Sequence, residues 1–94
     1  MDEKIFNEIC FELGKAKDKH PEFPADPEGG FAIIAEEALE LIRAINDKES
    51  KARIKEEACH VIVTAYRLIE TLEKENGTKH WTINEKGDVK DGNN

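Results

Sequence analysis

Two short segments of this chain carry the side chains that are best suited to chemistry. Residues 36–40 read EEALE, and residues 56–60 repeat the pattern as EEACH. The copies differ most at their last position, where Glu40 is matched by His60. Carboxylate oxygens are hard ligands that suit Mg²⁺ or Mn²⁺, so acidic side chains gathered from both segments could hold a divalent cation.

Both segments fall in stretches whose apolar residues recur at helical spacing. At about 100° of rotation per residue, Glu37 and Glu40 lie together at the border of one apolar helix face, while Glu36 points further toward solvent. Glu57 and His60 occupy the matching border of the next helix. We expect the two faces to pack together, so that their borders meet. The faces comprise Ile34, Ala38, Leu41, Ile42 and Ile45 on one helix and Ile54, Ala58, Val61, Ile62, Ala65, Leu68, Ile69 and Leu72 on the other.

Three predicted helices must position these side chains. The first runs from Asp2 to about Lys19. Residues 20–30 contain three prolines and two glycines, which predicts an extended loop. The second helix is predicted over 31–46 and the third over 51–76, and the short connection between them favours an antiparallel pair.

Local signals mark the ends of these helices. Asn46 and Asp47 are a stop signal, Ser50 is an expected N-cap, and Gly77 is a good left-handed terminator. The tail, 78–94, is polar, and both a small hairpin and disorder remain open for it. The sequence therefore predicts an all-α domain over 1–77, built from an antiparallel helix pair and an N-terminal helix.

Composition limits the classes of function. The chain has 94 residues, only 38% of them hydrophobic, so we expect oligomerisation to complete four-helix-bundle cores. A net charge of −7 argues against binding nucleic acid polymers or anionic membranes. The N-terminus does not resemble a signal peptide, and no stretch is long and apolar enough to cross a bilayer. These observations predict a cytoplasmic protein.

The acidic segments also resemble a family signature. The order Glu36-Glu37-x-x-Glu40, followed by Glu57-x-x-His60, resembles the Glu-Glu-x-x-Glu … Glu-x-x-Asp pattern of the MazG-like, all-α nucleoside triphosphate pyrophosphohydrolases, which are relatives of the dimeric dUTPases. The likeness covers the helix pair, residues 31–76, and extends less securely to the first helix. The motif is short, but its order, spacing and helical context all agree.

The resemblance implies a function. Members of that family form helical dimers or tetramers and cleave a nucleoside triphosphate to a monophosphate and pyrophosphate, with Mg²⁺ held by the acidic cluster. Carried over by position, Glu37, Glu40 and Glu57 would be metal ligands. Glu36 and Glu37 would be the catalytic carboxylates, with Glu36 binding the metal through water or orienting the attacking water. The implied role is house-cleaning or phage-type control of nucleotide pools.

His60 departs from the family pattern, because it stands where the family has its metal-binding Asp. Imidazole suits Mn²⁺, Zn²⁺, Co²⁺ or Ni²⁺ better than Mg²⁺. Three interpretations stay open: a site that uses a softer ion, a weak Mg²⁺ site in which His60 contacts phosphate, or a degenerate site. In the last case the protein would be a helical oligomer that binds nucleotide or a protein partner without hydrolysis.

Three further residues are candidates for substrate binding. Arg53 and Arg67 could each clamp a phosphate with two parallel hydrogen bonds, although Arg53 could equally form a surface salt bridge with Glu57. Trp81 in the tail could stack on a base or contact a partner, as exposed aromatic side chains often do.

Overall fold

The computed structural model describes residues 1–75, 81–83 and 89–91 of the chain. It contains three helices and two short strands: α1 (Glu3–Lys19), α2 (Pro27–Asn46), α3 (Lys51–Glu75), β1 (Trp81–Ile83) and β2 (Val89–Asp91). The predicted all-helical class is confirmed for the body of the chain. Among the residues described, no helix is both long and apolar enough to span a bilayer.

Each helix begins at a side chain that accepts a hydrogen bond from a free backbone N–H of the first turn. Asp2 accepts from the N–H of Ile5 at 3.0 Å and caps α1. Asp26 accepts from Gly29 at 2.8 Å and caps α2. Ser50 accepts from the N–H of residue 53 at 3.1 Å, as expected for the N-cap of α3.

The start of α2 corrects the sequence prediction. We expected a loop over 20–30 and a helix from Phe31, but α2 begins four residues earlier, at Pro27. Proline is well suited to the first position of a helix, because its fixed φ is helical and its missing N–H would have had no partner there. The loop therefore covers only residues 20–26.

The end of α2 agrees with the prediction. The helix ends at Asn46, and the N–H of Glu49 donates a hydrogen bond to the carbonyl of Ala44 at 3.0 Å. Lys48 makes the turn in the left-handed region, with φ of 53°, where glycine is the usual residue. The predicted end of the third helix, at Asn76 and Gly77, lies outside the described residues.

α3 is the central element of the fold. α2 runs antiparallel to it, since Gly30 near the start of α2 lies against Leu68 near the end of α3. A Cβ at Gly30 would come within 2.8 Å of a Leu68 methyl carbon, so the absence of a side chain allows the close approach. α1 runs parallel to α3 on its other side. Ion pairs of Lys55 with Glu8 and of Lys17 with Glu70 join the two helices at 2.9 and 3.0 Å.

The helix pair leaves much of its apolar surface exposed. We expected α2 and α3 to pack through a face that includes Ile42, Ile45, Ile62 and Ile69, but all four are about half-exposed. The helices are instead rotated so that Ala44 and Glu57 lie at the contact. We call the exposed set the open face. It contains Phe31, Leu39, Ile42 and Ile45 of α2 and Ile62, Tyr66 and Ile69 of α3.

The open face lies on the side of α3 away from His60. On a helical wheel Ile62 and Ile69 lie about 160° and 180° from His60. These apolar side chains stay about half-exposed among the described residues. In the tail, β1 pairs antiparallel with β2, with Trp81 opposite Asp91 and Ile83 opposite Val89.

Candidate metal centre

Glu37 of α2 meets Glu57 and His60 of α3 where the two helices cross. One potential ligand atom from each residue lies within 4.8 Å of the other two. Nδ1 of His60 is 3.7 Å from Oε2 of Glu37 and 3.7 Å from Oε2 of Glu57. Glu57 and His60 lie one turn apart on α3, and Glu37 faces them from the antiparallel α2.

Glu57 is the most unusual member of this cluster. It is 1% exposed, although its side chain is a carboxyl group. Its Oε1 forms an ion pair with Nη1 of Arg53 at 2.7 Å, but its Oε2 has no hydrogen-bond partner among the described residues. In the same part of the chain, Oε2 of Glu37 is also buried without a partner. Buried carboxylate oxygens are costly to leave unpaired, because desolvation is not offset by any donor.

The environment of Glu37 disfavours its charge. Burial is the main cause that raises the pKa of this carboxyl, and the nearby charges of Glu40 and Glu57 raise it further. His60 acts in the opposite direction. Two carboxylates that share a partly dry site repel one another, and a cation placed between them relieves that repulsion.

His60 is held from the other side by Glu12 of α1. Its Nε2 lies 3.2 Å from Oε1 of Glu12. Glu12 also pairs with Lys15 at 3.0 Å. Burial acts to raise the pKa of Glu12, but the hydrogen bonds from Lys15 and His60 outweigh it and lower that pKa. Glu12 is therefore an ionised acceptor beneath the imidazole ring.

The residues present fit a divalent cation. Two ligand atoms bound to one first-row ion at about 2.1 Å are about 3 to 4.2 Å apart. The 3.7 Å separations of Nδ1 from both carboxylate oxygens fall in that interval. The two oxygens without partners are the ones that face Nδ1. This donor set, two carboxylates and one imidazole, is typical of Mn²⁺, Co²⁺ or Zn²⁺ sites.

The remaining acidic candidates lie outside this cluster of three. Glu40 is exposed one turn after Glu37 on α2, close enough to affect the pKa of Glu37. Glu36 is exposed on the neighbouring side of the helix. Both are thus at the solvent side of the cluster, and Glu40 lies beside Glu37 as the wheel placed it.

The two arginines have structural partners. Arg53 forms ion pairs with Glu57, with Glu56 and, at 3.6 Å, with Glu49. The pair with Glu57 is the salt bridge that the sequence analysis gave as the alternative to phosphate binding. Arg67 is only 6% exposed and donates from Nη2 to the carbonyl of His20 at 2.7 Å. Its guanidinium also lies over the ring of Phe23, 5.3 Å from the centroid. Arg67 therefore fastens the loop 20–26 to α3.

An open pocket of about 500 Å³ adjoins the cluster. It lies between the loop, α1 and the two other helices, and Glu37 and His60 form part of its wall. Lys15, Lys19 and Arg67 contribute positive charge to the same pocket. A pocket of this size can hold a small organic molecule. Trp81 lies in β1, and its side chain falls outside the part of the structure that is described.

Glu12 is the residue that the sequence analysis missed. It stands one turn after Glu8 on the side of α1 that faces α3, within a helix to which the sequence analysis assigned no site residue. A polar residue at helical spacing among core-facing positions was the available signal. Its meaning depended on the register of α1 against α3, which the sequence does not reveal.

Comparisons with protein-family models, with curated proteins and with solved structures gave no match for this chain.

Proposed function

We propose that the protein is a metal-dependent nucleoside triphosphate pyrophosphohydrolase, which cleaves a (d)NTP to a (d)NMP and pyrophosphate. The observation that carries the proposal is the convergence of Glu37, Glu57 and His60, with two buried carboxylate oxygens left without partners. The resemblance of the acidic segments to the MazG-like signature supplies the reaction. The two lines of support are independent, because the burial of Glu57 is not part of the motif.

In this proposal Glu37, Glu57 and His60 hold a divalent cation, and Glu40 approaches it from the solvent side. A bound Mg²⁺ or Mn²⁺ would screen the phosphate charges and make a water molecule more acidic. The exposed carboxylate of Glu36 is available to accept a proton from that water or to orient it. Arg53 holds Glu57 in place through their ion pair rather than contacting the substrate.

The pocket beside the cluster carries charges of both signs. A triphosphate would meet the cations Lys15, Lys19 and Arg67, and a metal bound at the cluster would offset the carboxylates that line the same pocket, Glu12, Glu22, Glu37 and Glu56. Because the whole chain carries −7, these cations and the metal are needed to offset long-range repulsion. Arg67 has one face engaged by Phe23, so only its free guanidinium nitrogens would be available to a phosphate.

Self-association is part of the proposal. The open face of α2 and α3 is an exposed apolar surface of the kind that helical subunits bury when they pair, and a homodimer or homotetramer would complete a four-helix bundle through it. The proposed setting is the cytoplasm, where the protein would serve a house-cleaning or phage-type role in nucleotide pools.

The test is pyrophosphate release from a panel of NTPs and dNTPs with Mg²⁺ or Mn²⁺. The wild type should yield monophosphate and pyrophosphate in equal amounts. Glu37→Gln removes a metal-binding charge with little change in shape and should lower the rate by about 10- to 100-fold or more. Glu28→Gln makes the same change at the exposed first turn of α2 and should leave the rate unaltered.

Equal rates in the two variants would contradict the proposal, and so would release of inorganic phosphate in place of pyrophosphate. A second candidate, a helical oligomer that binds nucleotide or a protein partner without hydrolysis, is favoured by one observation: His60 stands where the family signature has a carboxylate. That candidate requires nucleotide binding, or partner binding, with no pyrophosphate formed under either metal.

A further inference from the structure

We propose that Glu12 of α1 is a positioning residue that presents Nδ1 of His60 to the metal, and that this arrangement selects Mn²⁺, Co²⁺ or Zn²⁺ over Mg²⁺. The inference deepens the proposed function and rests on its metal site. It adds a residue of α1 to the proposed metal centre. The acidic motifs lie on α2 and α3 and predict no contribution from α1.

The geometry defines which ring nitrogen faces the cluster. The hydrogen bond that the imidazole makes among the described residues joins Nε2 to Oε1 of Glu12 at 3.2 Å. A carboxylate can only accept, so Nε2 must carry the hydrogen. In the neutral ring Nδ1 then carries a lone pair. That lone pair faces Oε2 of Glu37 and Oε2 of Glu57 at 3.7 Å.

When the ring is neutral, three lone-pair atoms converge with no hydrogen-bond donor between them among the described residues. This is an unfavourable arrangement in itself, and Glu57 is buried within it. It becomes favourable when a cation that accepts nitrogen takes the central position. Histidine ligands generally donate their other ring N–H to a carboxylate, which fixes the ring and strengthens it as a donor. Glu12 has that place here.

Metal selectivity follows from the donor set. Mg²⁺ prefers oxygen ligands and keeps several waters, so a fixed imidazole adds little to its binding. Mn²⁺, Co²⁺ and Zn²⁺ gain more from nitrogen. Removing Glu12 should therefore weaken these three ions and change Mg²⁺ binding much less.

The first measurement is metal affinity by calorimetric titration of the full chain with Mn²⁺ and with Mg²⁺. Glu12→Ala should raise the Mn²⁺ dissociation constant by about 10- to 100-fold, the usual cost of losing the partner of a metal-bound histidine. Glu12→Gln keeps an oxygen acceptor for Nε2–H and should stay within about threefold of the wild type.

The control is Glu8→Ala. Glu8 lies one turn earlier on the same side of α1, and it pairs with Lys55 of α3, away from His60. The variant loses a comparable α1–α3 contact without touching the imidazole. Its Mn²⁺ affinity should match the wild type within about threefold, so any loss specific to Glu12→Ala reports on the ring and not on helix docking.

The second measurement is a long-range ¹H–¹⁵N spectrum of the histidine rings in the Zn²⁺-loaded protein. His60 should carry its proton on Nε2 and show a metal-shifted Nδ1. Zinc bound to Nε2, an unshifted His60 ring, or equal Mn²⁺ affinities of Glu12→Ala and Glu8→Ala would each overturn the inference.

The failures of the two proposals are distinguishable. If no nucleotide is cleaved but the zinc spectrum and the Glu12 variants behave as expected, the metal centre and the role of Glu12 stand while the proposed reaction falls. If pyrophosphate is released equally well by wild type and Glu12→Ala, and zinc binds elsewhere on the ring, the reaction stands and the role of Glu12 falls.

Discussion

At the scale of single residues, Glu57 is the side chain that the fold alone does not justify. A buried acid is usually satisfied on both oxygens, and here one oxygen has Arg53 while the other faces Glu37 and the lone pair of His60. Removing a charge from such a cluster should relieve repulsion. Sites of function often carry this kind of local cost, which is recovered when the ligand binds.

This leads to a prediction for the metal-free protein. Glu57→Gln keeps an oxygen for Arg53 and supplies an N–H₂ group that can donate to Glu37 or His60. The free energy of unfolding, measured by urea denaturation with a chelator present, should rise by about 1 kcal/mol. Glu56→Gln, one residue earlier and about half-exposed, should change it by less than about 0.5 kcal/mol. A marked loss of stability in Glu57→Gln would instead show that its ion pair with Arg53 is structural.

The sequence was sufficient to predict that Glu37, Glu57 and His60 lie near one another, because helical spacing and a short connection between antiparallel helices place them at facing borders. It could not foresee that Glu57 would be buried. The wheel placed Glu57 at the border of an apolar face, and only the rotation of α2 against α3, with small residues such as Gly30 and Ala44 at the contact, moves it inside. Glu12 was missed for a related reason, because its contact with His60 depends on how α1 packs against α3.

At the scale of elements, the open face is the feature with the clearest consequence. α2 and α3 each present an apolar stripe of which Ile42 and Ile69 are 52% and 56% exposed. The apolar residues themselves were evident from helical spacing. How much of the stripe the helix pair buries was not, because an amphipathic stripe indicates an apolar contact without showing how far the two helices rotate against one another.

A matched pair of substitutions tests the use of this face. Ile42→Gln places a polar group on the open face, whereas Arg43→Gln makes the same side chain at an exposed position beside it. By sedimentation, the wild type and Arg43→Gln should form a dimer or tetramer. Ile42→Gln should weaken association by about tenfold or more, equivalent to about 1.4 kcal/mol for one large apolar side chain. Identical monomeric behaviour of all three would contradict self-association.

The boundaries of the elements were predictable to different degrees. Ser50 and the stop at Asn46 carry local signals that need no tertiary information, and both are found as expected. The start of α2 at Pro27 also has a sequence signal, an Asp before a Pro. The two glycines that follow favoured a loop, and the start was therefore predicted at Phe31. Those glycines are tolerated because packing against Leu68 and Phe23 favours a residue without a side chain at Gly30.

At the scale of the whole molecule, α3 lies between α2 and α1, and the open face stays about half-exposed among the described residues. The cluster of Glu37, Glu57 and His60 lies about 120° or more around α3 from the open face, beside the pocket that α1 and the loop help to form. The open face and the cluster are thus separate surfaces of the same α2–α3 layer. Association through the open face would leave the pocket mouth free, which is consistent with a subunit that assembles and binds an anionic substrate.

The central claim is that Glu37, Glu57 and His60 form a divalent metal centre, and calorimetric titration with Mn²⁺ tests it most directly. The wild type should bind one ion per chain at this cluster, and saturation to 100 times the dissociation constant should add about 2.7 kcal/mol to the free energy of unfolding. Glu57→Gln should weaken binding by about tenfold or more, while Glu56→Gln should bind as the wild type does. Equal affinities in the two variants, or no Mn²⁺ binding by the wild type, would contradict the account.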